Sequence, residues 1–162
     1  MKKIFALAAV AAWVLLGAAS GTPVFAQNVD MDAPGFTLPD LAGKKFTLAD
    51  HKGKPVLIIF STTWCPYCRT EIPRFKEIYN TYTKKGVVVV NVDSQEPRDK
   101  VAKFAEKYKL PYRVLIDESG DVAESYGIRG VPSLVLIDGK GKIVCIQCRS
   151  LDASLKRILG TP

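Results

Sequence analysis

The chain has 162 residues, 48% of them hydrophobic, and a formal net charge of +7; once any targeting segment is set aside, one globular domain with one core is the expectation. Lys and Arg are scattered among Asp and Glu rather than gathered into a stripe with interleaved aromatics, so the charge marks a solvated surface and argues against a nucleic-acid partner. Four cysteines form two C-x-x-C pairs, which can mean a staple, a metal site or a redox couple depending on context.

The N-terminus reads as a secretory signal. Lys2 and Lys3 precede an apolar run from Ile4 to Ala19, and Val24-Phe25-Ala26 offers small residues before Gln27. Cleavage is predicted after Ala26, leaving residues 27–162 as the domain; losing Lys2 and Lys3 lowers the charge to +5. The rival reading is an uncleaved membrane anchor, but Gly17, Ser20, Gly21 and Pro23 break the run before it reaches the ~20 apolar residues that a spanning helix needs. No cysteine lies near the cleavage point to carry a lipid, and no second long apolar segment follows. A soluble periplasmic or otherwise extracytoplasmic domain is expected, in a compartment that tolerates disulfides.

Residues 27–35 look like a short leader. Phe36 to Leu38 and Lys45 to Leu48, separated by Pro39, Asp40 and Gly43, have hairpin composition. Val56 to Phe60 is a continuous apolar run rich in branched residues, which suits a strand buried on both faces. The next such run is Val87 to Val90, continuing to Val92, and between the two Ile72, Phe75, Ile78, Tyr79 and Tyr82 recur at helical spacing. Strand, helix and strand of this length make a crossover unit with parallel strands. A second helix is predicted from Pro97 to Tyr108, with Pro97 in its first turn, then a strand from Tyr112 to Ile116 and a short helix from Asp121 to Tyr126 ended by Gly127. Leu134 to Ile137 and Lys142 to Ile146 flank Asp138-Gly139-Lys140-Gly141, a hairpin signal. A last helix spans Leu151 to Leu159, with Ser150 as cap and Gly160 as stop. The fold class is α/β, with a parallel centre and an antiparallel edge.

Trp64-Cys65-Pro66-Tyr67-Cys68 falls where the first buried strand meets the long helix. With Cys65 as the cap and Pro66 as the first helical residue, the free amides of the first turn, that of Cys68 included, point toward the Cys65 sulfur. Those amides and the helix dipole favour a thiolate, so the Cys65 pKa is expected below the ~8.5 of a free cysteine. Cys65 is therefore the attacking thiol, and Cys68, one turn deeper, resolves the mixed disulfide. A staple closing so short a loop stabilises little, and a zinc site needs two further ligands. Pro73 removes an amide from mid-helix and is expected to kink it.

These motifs resemble the thioredoxin superfamily, and within it the exported TlpA/ResA-like thiol-disulfide oxidoreductases. The resemblance runs over nearly the whole mature chain, through Ala33-Pro34-Gly35-Phe36, Gly53-Lys54-Pro55, Trp64-Cys65 and Tyr126-Gly127-Ile128 to Gly130-Val131-Pro132. It implies a thioredoxin-like fold, a central mixed sheet flanked by helices with an N-terminal β-hairpin extension. It also implies a cis Pro132 facing the cysteines and a Val131 backbone that pairs with an extended substrate segment, beside Trp64, Pro66 and Tyr67. From Val131-Pro132 alone only a turn before a strand follows, since most X-Pro bonds are trans. Further implications are reduction of exported protein disulfides, often in cytochrome c maturation, and recharging by a membrane thiol shuttle. No cofactor or metal is expected beyond a redox-active Cys65–Cys68 disulfide, and the protein is expected to be a monomer. Glu71 matches an acidic residue that ResA-like members place behind the cysteine pair; such a group handles the Cys68 proton if burial raises its pKa, while the plain alternative is an exposed glutamate paired with Lys or Arg. Thioredoxins carry a buried Asp in the preceding strand, but Val56 to Phe60 are all apolar. Pro66-Tyr67 between the cysteines departs from the usual TlpA/ResA-like pattern, and these positions tune the reduction potential.

Cys145 and Cys148 lie where the family usually has no cysteine. In a regular strand their Cα atoms would stand ~10 Å apart with side chains on opposite faces, beyond the ~7 Å reach of a disulfide; they bond only if the strand ends or bulges between them. Because the final hairpin sends its second strand back toward the active site, Cys148 is expected near the substrate groove, able to exchange disulfides with Cys65 or a substrate. The alternative is a buried, inert Cys145 and an incidental exposed Cys148. Two other activities are weighed. A thiol peroxidase would use Thr62, three residues before Cys65, but also a proline where this chain has Ile58. A Cu(I)-binding metallochaperone would use the cysteines as soft ligands together with a downstream histidine, whereas the single His51 lies upstream in a polar loop.

Overall fold

The computed structural model describes residues 30–148 and 150–160. The signal segment, its cleavage point and the start of the leader lie outside the described residues. Among those described, no helix is long and apolar enough to cross a membrane.

Val56–Ser61 (β3) is the middle of a five-stranded sheet of order β5-β4-β3-β6-β7, formed with Val88–Ser94 (β4), Arg113–Asp117 (β5), Ser133–Ile137 (β6) and Ile143–Ile146 (β7). β4 and β5 run parallel to β3, and β6 and β7 form the antiparallel side. A separate antiparallel ladder joins Thr37–Pro39 (β1) to Lys45–Thr47 (β2). The continuous apolar run of β3 follows from its place, because successive side chains alternate between faces and here both faces are covered. Leu57 and Ile59 join one buried cluster, and Val56, Ile58 and Phe60 join the other.

The chain crosses from β3 to β4 and on to β5 in one direction, so two right-handed crossovers put their helices on the same face. These are Pro66–Tyr82 (α1) and Arg98–Tyr108 (α2); Phe75 and Ile78 of α1, Val101 of α2 and Leu155 of the last helix, Leu151–Leu159 (α4), fill that face. The opposite face packs Leu38 and Phe46 of the β1–β2 hairpin and Val122 of the short helix Asp121–Ser125 (α3). Pro97 is the cap of α2 rather than a residue of its first turn, and Ser150 caps α4 by position without a side-chain hydrogen bond. Pro73 lies inside one uninterrupted helix. Gly127 and Gly160 take the left-handed conformation (φ 65° and 63°) and end their helices where the sequence indicates.

The described part of the leader is not loose. The Asp30 N–H donates to Ile143 O at 2.8 Å and that of Ala33 to Gly141 O at 2.9 Å, while Asp32 bridges Lys142 beside β7. Eight residues on, Asp40 bridges Leu115 of β5. Residues 32–40 therefore run across one whole face of the sheet, from the β7 edge to the β5 edge. Arg113 of β5 ties down the far end: its Nε donates to Asp40 Oδ2 at 2.8 Å, its Nη2 donates to Lys44 O at 2.9 Å, and its guanidinium lies 5.5 Å from the Phe46 ring centre. Arg113→Met should lower unfolding free energy by about 1.5–3 kcal/mol, the range for hydrogen bonds to charged groups, with far-UV dichroism unchanged; an unaltered urea midpoint would show that the clamp contributes nothing.

Candidate functional site

The central strand ends at Ser61 and delivers Thr62 to Cys65 to the start of α1. Cys65 is the N-cap in extended conformation (φ −74°, ψ 114°), and Pro66 opens the helix. The Cys68 N–H donates to Cys65 Sγ at 3.1 Å, as the turn geometry requires. From the other side, the Val131–Pro132 bond is cis and the Val131 carbonyl stands 3.6 Å from Cys65 Sγ, placed to accept from its thiol. The Cys65 sulfur thus has an amide donor for its anionic form and a carbonyl acceptor for its protonated form. Ser133 donates to Gly130 O at 2.6 Å and tightens the turn that carries Val131.

Both cysteines are free thiols, and neither is the more open: Cys65 is 5% exposed and Cys68 3%. Their difference lies in electrostatics. Burial first, then the hydrogen bond and charge of Cys65 and the charge of Asp93, push the Cys68 thiol up to about 12. Around the two covered sulfurs, Trp64 and Tyr67 are 62% and 63% exposed, so the aromatic rings, not the sulfurs, meet solvent first. Tyr67 and Pro132 line a cleft of about 230 Å³ together with Glu71, Arg74, Gln147 and Cys148. The structure therefore brings Trp64, Cys65, Pro66, Tyr67, Cys68, Val131 and Pro132 to one end of the sheet.

Glu71 lines that cleft, where Arg74 Nη1 donates to its carboxylate at 3.0 Å. The carboxylate whose charge acts on Cys68 is another one, Asp93 of β4, which pairs in register with Ser61. Asp93 is buried, and its Oδ1 has no hydrogen-bond partner. Burial and the adjacent Glu96 charge push Asp93 up to about 8. Glu96, though burial opposes its ionisation, is held low by Lys100 at 2.5 Å and by the Thr63 hydroxyl at 2.6 Å. The two carboxyls divide the work of one charge: Glu96 ionised and Asp93 protonated. The sequence reading missed Asp93 because it sought a carboxylate in β3 and, finding none there, turned to Glu71 of α1. The available signal was the polar pair Asn91 and Asp93, on either side of Val92 where the apolar run of β4 ends.

The second cysteine pair departs from the regular-strand expectation. β7 stops at Ile146, Gln147 takes the left-handed conformation (φ 52°), and the chain doubles back so that Cys145 and Cys148 are joined by a disulfide at a Cα separation of 5.4 Å. Both are half-buried, so the picture of a buried Cys145 and an exposed Cys148 does not hold. His51 is not simply solvated either; its ring stacks on Phe46 at 4.5 Å.

Comparison with known proteins adds the lineage. The family model described as AhpC/TSA matches residues 29–146. A thiol-disulfide oxidoreductase ResA from Bacillus thuringiensis subsp. konkukian is 38% identical over 118 residues, covering 73% of this chain and 68% of the relative. Another ResA, from Geobacillus thermodenitrificans, is 38% identical over 138 residues, covering 80% and 79%. Among solved structures, the thioredoxin domain of a thiol-disulfide oxidoreductase from Bacteroides vulgatus superimposes with a TM-score of 0.70 at 32% identity, over 82% of this chain and 95% of that one. The fold is thioredoxin-like, as the resemblance implied.

Because the folded value of Asp93 lies above its unfolded value of 3.8, the native state keeps a proton that the unfolded chain has lost. Stability from this group is therefore full below about 4 and falls as pH rises toward about 8. Asp93→Asn should remove that loss, leaving the protein more stable than the parent at pH 8 and little changed at pH 4; at 1.36 kcal/mol per pKa unit, the shift from 3.8 to about 8 sets an upper bound of about 5 kcal/mol. Urea midpoints at the two pH values measure this; parallel profiles for parent and variant would refute the assignment.

Proposed function

The chain belongs to the AhpC/TSA family, and from that premise we propose that it exchanges disulfides with exported proteins through Cys65 and Cys68, working as a reductant. The activity itself is that of a thiol-disulfide oxidoreductase, for which its curated relatives are named. The observation that carries the assignment to this pair is the Cys68 amide held 3.1 Å from Cys65 Sγ at the start of α1.

The chemistry follows from that contact. An extended substrate segment lies along Val131 and Pro132, between the rings of Trp64 and Tyr67 and against Pro66. The Cys65 thiolate attacks one sulfur of the substrate disulfide; the substrate S–S bond breaks, a mixed disulfide forms, and the departing substrate thiolate takes up a proton. Cys68, protonated while it waits, then loses its proton and attacks Cys65 Sγ, forming the Cys65–Cys68 disulfide and releasing the second substrate thiol. The substrate has gained two electrons. We assign the Cys68 proton to Asp93, whose charge already acts on that thiol; Glu71, ion-paired with Arg74 in the cleft, is the competing acceptor. A membrane thiol shuttle returns the electrons, and cytochrome c maturation is the pathway the resemblance suggests. The signal-like N-terminus supports an extracytoplasmic site of action.

Cys65→Ser should reduce insulin reduction to the uncatalysed background, and Cys68→Ser should accumulate a mixed disulfide between Cys65 and the substrate. The Cys68-dependent step should speed up as pH rises through about 8, and Asp93→Asn should slow it by about tenfold or more and flatten that rise. Flattening in Glu71→Gln instead would transfer the proton to Glu71, and full activity in Cys65→Ser would end the proposal. A reduction potential near −270 mV supports a reductant, whereas one near −120 mV marks a disulfide-forming oxidant.

A further inference from the structure

The Cys145–Cys148 disulfide borders the same cleft as the active site. Cys148 lines it beside Tyr67, which lies between the two active-site cysteines, and Pro132, which follows the carbonyl in contact with Cys65. Cys65 Sγ is 3.6 Å from Val131 O, and Cys148 Sγ is 3.6 Å from Leu134 O, three residues along the same stretch of backbone. Extended residues advance ~3.3 Å each, so the Cα atoms of Val131 and Leu134 are separated by at most about 10 Å. The piece that would have to move is small: Cys148 lies beyond the end of β7, after the left-handed turn at Gln147. A bond that spans a sequence separation of only three ties no distant parts of the chain together. The two pairs also stand in complementary states, Cys65 and Cys68 as free thiols and Cys145 and Cys148 bonded.

We infer that the Cys145–Cys148 disulfide is an internal redox partner of the Cys65–Cys68 dithiol, exchanging two electrons with it across the cleft. The inference rests on the reading of Cys65 as the nucleophile. In the exchange, the Cys65 thiolate attacks Cys148 Sγ, the sulfur that lines the cleft; the Cys145–Cys148 bond breaks and a Cys65–Cys148 bond forms. Cys145 leaves as a thiolate, 4.0 Å from the Ser154 hydroxyl of α4, which is placed to donate to it. Cys68 gives up its proton and attacks Cys65, closing the Cys65–Cys68 disulfide and releasing Cys148 as a thiolate. The released proton and one from solvent leave Cys145 and Cys148 as thiols. Cys65 and Cys68 have been oxidised by two electrons, Cys145 and Cys148 reduced by two, and no outside oxidant is consumed. Run in reverse, the same steps let the second pair recharge the first, so the protein holds two exchangeable couples.

The test removes the two thiols that would undo the intermediate. Cys68→Ser with Cys145→Ser leaves only Cys65 and Cys148; in a glutathione redox buffer, non-reducing peptide mapping should find the Cys65–Cys148 disulfide as the dominant species. Cys68→Ser with Cys148→Ser should give Cys65 and Cys145 as separate glutathione adducts, with no bond between them. If Cys65 in the first variant takes up glutathione but forms no bond to Cys148, the relay is overturned while the nucleophile stands; if Cys65 does neither, both readings fail. The unsubstituted protein gives an independent measurement should the variants fold poorly. After a brief exposure to dithiothreitol quenched by alkylation, Cys145 and Cys148 should take up label severalfold faster in the unsubstituted protein than in Cys65→Ser. Equal labelling of Cys145 and Cys148 with and without Cys65 would overturn the relay.

Discussion

A single backbone amide organises the active end of this molecule. The Cys68 N–H can reach Cys65 Sγ only because a strand buried on both faces ends where a helix begins, and that helix must start with its first-turn donors free. Everything else at that end answers to the same contact. The cis Val131–Pro132 turn presents a carbonyl to the opposite side of the sulfur, and the antiparallel β3–β6 pairing sets the height at which it arrives. The order of strands is thus a condition for the chemistry as well as for the core.

The second theme is the separation of two thiols with equal cover. Solvent exposure does not tell Cys65 from Cys68. What distinguishes them is direction: the amide of one points at the sulfur of the other, while Cys68 faces the field of a buried acidic group. Asp93 and Glu96 lie close enough that only one ionises readily, and Lys100 and Thr63 decide which. Polar burial on β4 therefore costs stability near neutral pH and sets an acidic group whose charge acts on Cys68.

Much of this was legible in the sequence because burial leaves a periodic mark. The unbroken apolar run at Val56 to Phe60 and the helical spacing of Ile72, Phe75 and Ile78 identified the central strand and its crossover helix, and the cysteine pair at their junction followed from local turn chemistry. Features set by backbone alone were not legible. Nothing in Asp30 to Ala33 announces that their amides pair beside β7, since such pairing is blind to side-chain type. The left-handed Gln147, which closes the second disulfide, carries none of the glycine or asparagine signature of such a turn. Asp93 was missed for a different reason: its environment comes from three separate elements, and only the fold assembles them.

The strap formed by residues 32–40 has a consequence for the life of the protein outside its fold. An open five-stranded sheet ends in two rows of unpaired backbone groups, each able to recruit a strand from another molecule. Here one short stretch meets both borders, touching Lys142 at one side and Leu115 at the other. Because it precedes β3 in the chain, it is synthesised before the sheet can close. On each flank that segment occupies backbone positions that a strand from another molecule would otherwise need.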